Sequence, residues 1–302
     1  MGKPLEGRVA IVTGGGGALG RSHSLTLSSL GAKVVVNDLG GSLKGEGADK
    51  TSAQKVVDEI KAKGGEAVAN YDTISTHEGG EAVVKSAVDA FGKVDIVINN
   101  AGFLRDVSFG KMTDDDWLAI IGVHLTGAYY VTKAAWPRLK DQNYGRIIMT
   151  ASAAGIYGNF GQANYSAAKM GLLGLGQTLA HEGKKNNINV NVIAPIARSR
   201  LTETVMPPPM LENLKPEFVS PLVAYLCSEE CKETGGIFEV GGGFFTKIAW
   251  YRSPGLGLKI TEPITYDAIK ENFSKITDFT NAKMCRTIQE STMAVMANLS
   301  KK

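Results

Sequence analysis

Short Val- and Ile-rich runs alternate with longer stretches of helical period from Arg8 to about Phe245, and no other feature constrains the fold of this chain as much. The runs Arg8–Thr13 (RVAIVT), Lys33–Asp38 (KVVVND), Glu66–Asp72, Val94–Asn99, Arg146–Ala151, Asn189–Ala194 and Ile237–Val240 carry few polar residues on either face. Strands of this kind must be covered on both sides, and the helical stretches between them supply that cover as right-handed crossovers. Ala18–Leu30, Ala48–Lys63, Asp114–Lys140 and Gln162–Lys184 are the clearest of these helices. The expected fold is α/β, a Rossmann-like doubly wound parallel sheet of seven strands with helices on each face.

The alternation stops near Phe245. The expected organisation is one domain over residues 1–245 and a C-terminal helical extension over 246–302, with helices at Tyr266–Ser274 and Arg286–Leu299. A segment that short cannot bury a core of its own. It is expected to pack on the main domain or on a second subunit.

Bulk properties exclude several function classes. A net charge of +3 is too mild to make nucleic acid or a membrane surface the main partner. No apolar run approaches the ~20 residues that a membrane helix needs. The polar stretch Met1–Gly7 is not a secretory leader, and the ending Leu299–Lys302 is not the peroxisomal Ser-Lys-Leu. Cys227 and Cys231 stand four apart with no His or Asp cluster beside them, so they read as structural thiols and no metal site is expected.

Several strand ends carry ligand-binding residue types. Thr13–Gly20 (TGGGGALG) joins the first strand to the first helix. A turn so rich in glycine lets backbone N–H groups approach a pyrophosphate at a helix N-terminus. Its register is open: Gly15, Gly17 and Gly20 satisfy one dinucleotide pattern, while Gly14 and Gly20, with Ala18 between, nearly satisfy another. Asp38 ends the second strand with no Arg or Lys between Val34 and Leu43. An acid there accepts from ribose hydroxyls and repels a 2′-phosphate, which favours NAD over NADP.

Tyr165 and Lys169 are four apart in a helical stretch, so both project from one face. A nearby ammonium and a cationic nicotinamide would lower the tyrosine pKa and make it a usable base. Ser152 ends a strand thirteen residues earlier, and Asn99-Asn100-Ala101-Gly102 ends another. All these strand ends fall on the same edge of the expected sheet.

On the glycine turn, Asn99–Gly102, Ser152 and Tyr165-x-x-x-Lys169, the chain resembles the short-chain dehydrogenase/reductase family from about residue 8 to 245. The resemblance implies that Tyr165 is the general acid/base, that Lys169 holds the nicotinamide ribose, and that Ser152 orients the alcohol or ketone oxygen. It further implies cofactor contacts from Gly14, Gly16, Ala18, Leu19, Gly20, Asp38, Asp72, Thr73, Asn99, Ala101, Gly102 and Pro195, besides Tyr165 and Lys169. One position departs from the broad pattern. The family's long helix usually carries an Asn that bends it and holds a relay water, whereas His124 stands here. A histidine there serves as a proton relay or packs as a structural residue.

Longer stretches narrow the resemblance to the (3R)-hydroxyacyl-CoA dehydrogenase units of peroxisomal multifunctional enzymes. They are Val34–Gly41, Leu104–Ser108, Val123–Gly127, Gly155–Lys169, Ile193–Thr202 and Ile288–Thr292. This resemblance implies oxidation of a (3R)-3-hydroxyacyl-CoA to the 3-ketoacyl-CoA with NAD, in peroxisomal fatty acid β-oxidation. A homodimer is also implied, as is a hydratase unit on a full-length polypeptide. Gly155–Gly161 and Met206–Met210 (MPPPM) would border the acyl site, although a triple-proline loop is also an ordinary stiff connection. Arg105, Arg198, Arg200, Lys184 and Lys185 are candidates for the phosphates of coenzyme A. Two alternatives remain: a steroid or other secondary-alcohol dehydrogenase of the same fold, and a catalytically silent nucleotide-binding regulator.

Overall fold

The computed structural model describes residues 2–42, 45, 47, 49–198 and 211–299. Arg200 and the Met206–Met210 loop lie outside the described residues. Two compact units are present, Met1–Lys247 and Ile248–Lys302.

The larger unit is built on parallel strands. In chain order they are β1 (Val9–Thr13), β2 (Lys33–Asn37), β3 (Ala67–Asn70), β4 (Ile96–Asn99), β5 (Gly145–Thr150), β6 (Ile188–Ile196) and β7 (Ile237–Gly241). Every residue of β1, β4 and β5 is buried, as unbroken apolar runs require. The spatial order is β3-β2-β1-β4-β5-β6-β7-β8, so the described sheet has eight strands rather than the expected seven. The additional strand is β8 (Phe244–Ile248), reached through Gly242-Gly243, both with positive φ. A two-residue turn of that kind makes an antiparallel hairpin, which a reading of parallel crossovers does not detect.

β1 pairs with β2 on one side, Ile11 opposite Val35, and with β4 on the other, Ile11 opposite Val97. The winding therefore reverses beside β1, and a crevice opens above the carboxyl ends of β1 and β4. Helices α1 (Ala18–Ser29), α2 (Thr51–Ala62) and α3 (His77–Phe91) accompany the first strands. The long helix expected at Asp114–Lys140 is interrupted. It consists of α4 (Asp114–Ile121), a π-helical turn at Gly122–Gly127, and α5 (Ala128–Asp141). Thr113 and Asp116 form a capping box that starts α4. The short α6 (Ala153–Tyr157) and the long α7 (Ala163–Gly183) follow β5, and α8 (Ser220–Leu226) precedes β7.

The smaller unit holds a two-stranded antiparallel ribbon, β9 (Tyr251–Arg252) with β10 (Lys283–Met284), and helices α9 (Tyr266–Ile276) and α10 (Ile288–Leu299). None of its described residues is buried. Phe273, Ile288, Met293 and Val295 are each more than half exposed.

Candidate active site

The crevice above β1 and β4 is a cavity of about 650 Å³. Gly14, Ala18, Leu19, Gly20, Asp38, Asp72, Thr73, Ala101 and Gly102 line it, as expected from the strand ends. Asn100 and Phe103 also line it, and sequence reasoning assigns a contact to neither.

The turn is glycine for steric reasons. Gly14 has φ +63°, and a Cβ on it would lie 2.7 Å from the Ala101 Cα. A Cβ on Gly16 would stand 2.8 Å from the Ser52 Cβ and 3.0 Å from the Asp38 carboxylate. Gly16 stays off the cavity wall because its N–H donates to Asp38 Oδ2 at 2.8 Å. Gly40 N–H donates to Asp38 Oδ1 at 2.7 Å, so both carboxylate oxygens are fixed at the cavity rim. The N-cap of α1, Gly17, has no side chain to satisfy the first amides, which leaves them for a ligand. Open amides, a cradle closed to any Cβ and a fixed acid at the rim fit a nicotinamide dinucleotide.

Besides Gly16, two expected contacts lie off the cavity wall. Asn99 points into the core, where its amide donates to Thr132 Oγ1 at 2.9 Å, and strand alternation puts Asn100 at the cavity instead. Asn100 donates from Nδ2 to the Thr13 carbonyl at 3.0 Å, which ties β4 to the glycine turn. Pro195 sits near the end of β6, opposite Val240, and is not on the cavity wall.

Ser152, Tyr165, Lys169 and His124 come together, and His124 abuts Gly102 and Phe103 of the cavity wall. Ser152 follows β5 and caps α6, accepting from Ala154 N–H at 3.2 Å. Its hydroxyl also lies near enough to the Tyr165 hydroxyl to favour the phenolate. Lys169, buried one turn along α7, places Nζ 5.4 Å from the Tyr165 ring centroid and donates to the Thr150 carbonyl at 2.6 Å. α6 approaches α7 closely here, since a Cβ on Gly155 would lie 2.7 Å from the Lys169 Cβ.

The electrostatics of the protein itself differ from the expectation of a lowered tyrosine pKa. Burial pushes Tyr165 up to about 12, the Ser152 hydroxyl opposes that, and the Asp106 charge adds to it. Burial also lowers Lys169 to about 7. The ammonium is thus less available near neutral pH than the sequence suggests, because the same desolvation that isolates the site penalises both charges.

His124 lies in the π-helical turn, a local distortion often found at functional sites. Its Nε2 is 3.0 Å from the Phe103 N–H and 2.8 Å from the Phe103 carbonyl. A neutral ring nitrogen satisfies one of these, not both. Among the described residues its buried Nδ1 has no partner, and burial, with Lys169 nearby, holds the pKa well below the usual histidine range.

Of the basic candidates, Arg105 lines the cavity. Lys184 and Lys185 follow the far end of α7, roughly 28 Å from Tyr165 by helical rise. Among the described residues no group of His, Cys, Asp and Glu is arranged to hold a metal ion. Cys227 and Cys231 are buried free thiols.

Comparison with known proteins agrees with this geometry. The family model for short chain dehydrogenases matches residues 8–207. A peroxisomal multifunctional enzyme type 2 of Mus musculus is 56% identical over all of this chain, which spans 41% of that relative. A peroxisomal hydratase-dehydrogenase-epimerase of Saccharomyces cerevisiae is 54% identical over 94% of this chain and 31% of its own length. The solved full-length peroxisomal multifunctional enzyme type 2 of Drosophila melanogaster superposes with a TM-score of 0.84 at 41% identity, covering 98% of this chain and 50% of that one. The chain therefore spans half or less of each of these three relatives. The matched family model, the glycine cradle and the Ser–Tyr–Lys cluster agree: this chain belongs to the short chain dehydrogenase family, whose members work with a nicotinamide cofactor.

Proposed function

We propose that this chain is an NAD-dependent (3R)-3-hydroxyacyl-CoA dehydrogenase of peroxisomal fatty acid β-oxidation. The observation that carries the reading is the meeting of Ser152, Tyr165 and Lys169 beside a glycine-cradled cavity, in a chain 56% identical throughout to part of a peroxisomal multifunctional enzyme. The reaction is (3R)-3-hydroxyacyl-CoA plus NAD⁺ giving 3-ketoacyl-CoA, NADH and a proton. Asp38 supports NAD over NADP, since both its oxygens are held at the rim by backbone amides. A 2′-phosphate would meet that charge directly.

When bound, NAD supplies the hydride acceptor; Gly14, Gly17–Gly20, Asp38, the backbone at Asp72–Thr73, Ala101–Gly102 and Lys169 would hold it. The chain's own residues handle the proton. Tyr165, as phenolate, takes it from the 3-hydroxyl, and Ser152 donates to the substrate oxygen as its charge changes. Lys169 is anchored on the Thr150 carbonyl, and its protonated form favours the phenolate beside it. His124 is the next titratable ring along and passes the proton on through Nδ1.

A hydratase unit on a longer polypeptide and a homodimer complete the reading. The first is supported by the hydratase named in the yeast relative, and the second by the exposed apolar side chains of α9 and α10. The test is an assay of NADH absorbance with (3R)- and (3S)-hydroxyacyl-CoA, a hydroxysteroid and no substrate. Turnover of the (3R) thioester is expected. Preference for (3S) or for the steroid overturns the substrate assignment, and silence with every alcohol overturns the enzymatic one.

A further inference from the structure

The segment after Gly102 is fastened to the start of α7 by hydrogen bonds that helix formation does not need. Val107 N–H donates to the Gly161 carbonyl at 2.8 Å. The Gln162 amide donates to Asp106 Oδ2 at 2.7 Å. Buried Asn164 donates to the Arg105 carbonyl at 3.3 Å and to the Asp116 carbonyl at 3.0 Å. Gln162 is the N-cap of α7, yet its side chain makes no cap bond to the helix. An N-cap side chain ordinarily satisfies an open amide of the first turn. Here the Gln162 side chain instead bridges Asn159, which donates to its Oε1 at 3.0 Å, and Asp106.

This arrangement sits three residues before Tyr165, and the Tyr165 N–H itself donates to Asn164 Oδ1 at 2.7 Å. A carboxylate acceptor makes the Gln162 bond charge-assisted and so stiffer than a neutral pair. We propose that Asp106 is a positioning residue of the active site: through Gln162 it fixes the first turn of α7, and with it the point at which Tyr165 presents its hydroxyl. The inference rests on the role proposed above for Tyr165.

The carboxylate leaves a second signature. Its negative charge opposes the phenolate, in the same direction as burial does. The other groups facing Tyr165 are Lys169, 5.4 Å from its ring centroid, and His124, 5.2 Å away between centroids. Arg105 and Asp116 lie one layer further out and pair with each other at 3.9 Å. Asp106 is exposed, so its replacement does not threaten the core.

The experiment compares Asp106→Ala, Asp106→Asn and Gln162→Ala in the full chain. The readouts are NAD affinity, kcat and KM for a (3R)-hydroxyacyl-CoA, the pH profile of kcat/KM, and the ¹³C resonance of tyrosine labelled at Cζ, assigned with Tyr165→Phe. Asp106→Ala and Gln162→Ala should each lower kcat about tenfold with NAD affinity unchanged, as expected for a lost constraint on the reacting group. Asp106→Asn keeps an acceptor oxygen, so it should recover most of kcat. Its acid limb should move to lower pH by about half a unit, the scale of one charge removed at a few ångströms through partly hydrated protein. Wild-type kcat in Asp106→Ala, or an unmoved limb in Asp106→Asn, overturns the proposal. If the wild-type chain turns over no hydroxyacyl-CoA, the substrate reading fails separately. The Tyr165 resonance of the NAD-bound chain then decides: a Cζ line shifted or broadened in Asp106→Ala and Gln162→Ala and restored in Asp106→Asn supports the positioning role, and a wild-type line in both alanine variants overturns it.

Discussion

The ring of His124 stands edge-on to that of Tyr165, with centroids 5.2 Å apart and an interplanar angle of 85°. The contact brings a second titratable ring against the tyrosine from the π-helical turn between α4 and α5. If His124 relays the proton, His124→Ala should lower kcat about a hundredfold, the lower end of what a positioned acid–base group contributes. NAD affinity should change little. Stopped-flow turnover with a fluorescence titration of NADH separates the two, and unchanged turnover would leave His124 as a packing residue.

Gly102 gives an independent approach to the same ring. A Cβ there would lie 2.6 Å from His124 Nδ1, and His124 is itself buried and held against Phe103. Gly102→Ala should therefore displace the ring and depress kcat much as His124→Ala does. The double variant should be no worse than either single one, because the two act through one contact.

Asp38 should govern the choice of cofactor. Asp38→Ala removes an acceptor fixed by Gly16 and Gly40, and NAD affinity should fall about tenfold, the cost of one charge-assisted hydrogen bond. NADP affinity should rise at the same time, since the repelling charge is gone. Parallel titrations with NADH and NADPH would check both directions. A fall for both cofactors would mean that Asp38 matters only for the shape of the glycine turn.

Stability should fall as pH drops from about 6.5 to 4. His23 is buried, its Nδ1 is 2.8 Å from Ser220 Oγ, and burial lowers its pKa to about 4. Between its folded value and the ordinary unfolded value near 6.5, the unfolded chain binds the proton and the folded chain does not. Stability thus rises with pH across that window and is lost in the reverse direction, by on the order of 3 kcal/mol for His23 alone. His124 acts in the same sense. Calorimetric Tm values from pH 7 to 4 should show a steeper acid fall for the wild type than for His23→Gln.

The smaller unit should need a partner. Ile269 and Phe273 lie one turn apart on α9, and no described residue of the unit is buried. Replacing both with Glu should shift the mass measured by light scattering from dimer to monomer. An unchanged mass would put the subunit contact elsewhere.

Much of this protein was legible in its sequence. The β/α alternation, the glycine turn, the acid after β2 and the Tyr–Lys pair all follow from local rules. Strand burial selects Val and Ile runs, tight turns select glycine, and helical pitch puts Tyr165 and Lys169 on one face. Each rule acts within a few residues of chain, so periodicity and spacing are enough to read it.

Only the tertiary structure decided the rest. It turned Asn99 inward and Asn100 toward the cavity, carried Lys184 and Lys185 to the far end of α7, and added β8 to the sheet edge. It interrupted the long helix at His124 and fastened Asp106 to Gln162, 56 residues away. It also buried Tyr165 and Lys169, and that burial raises the tyrosine pKa and lowers the lysine pKa in the chain by itself. The reason is common to all of these. Desolvation and side-chain partnership depend on which distant segments close over a residue, and neighbours along the chain carry no record of that closure.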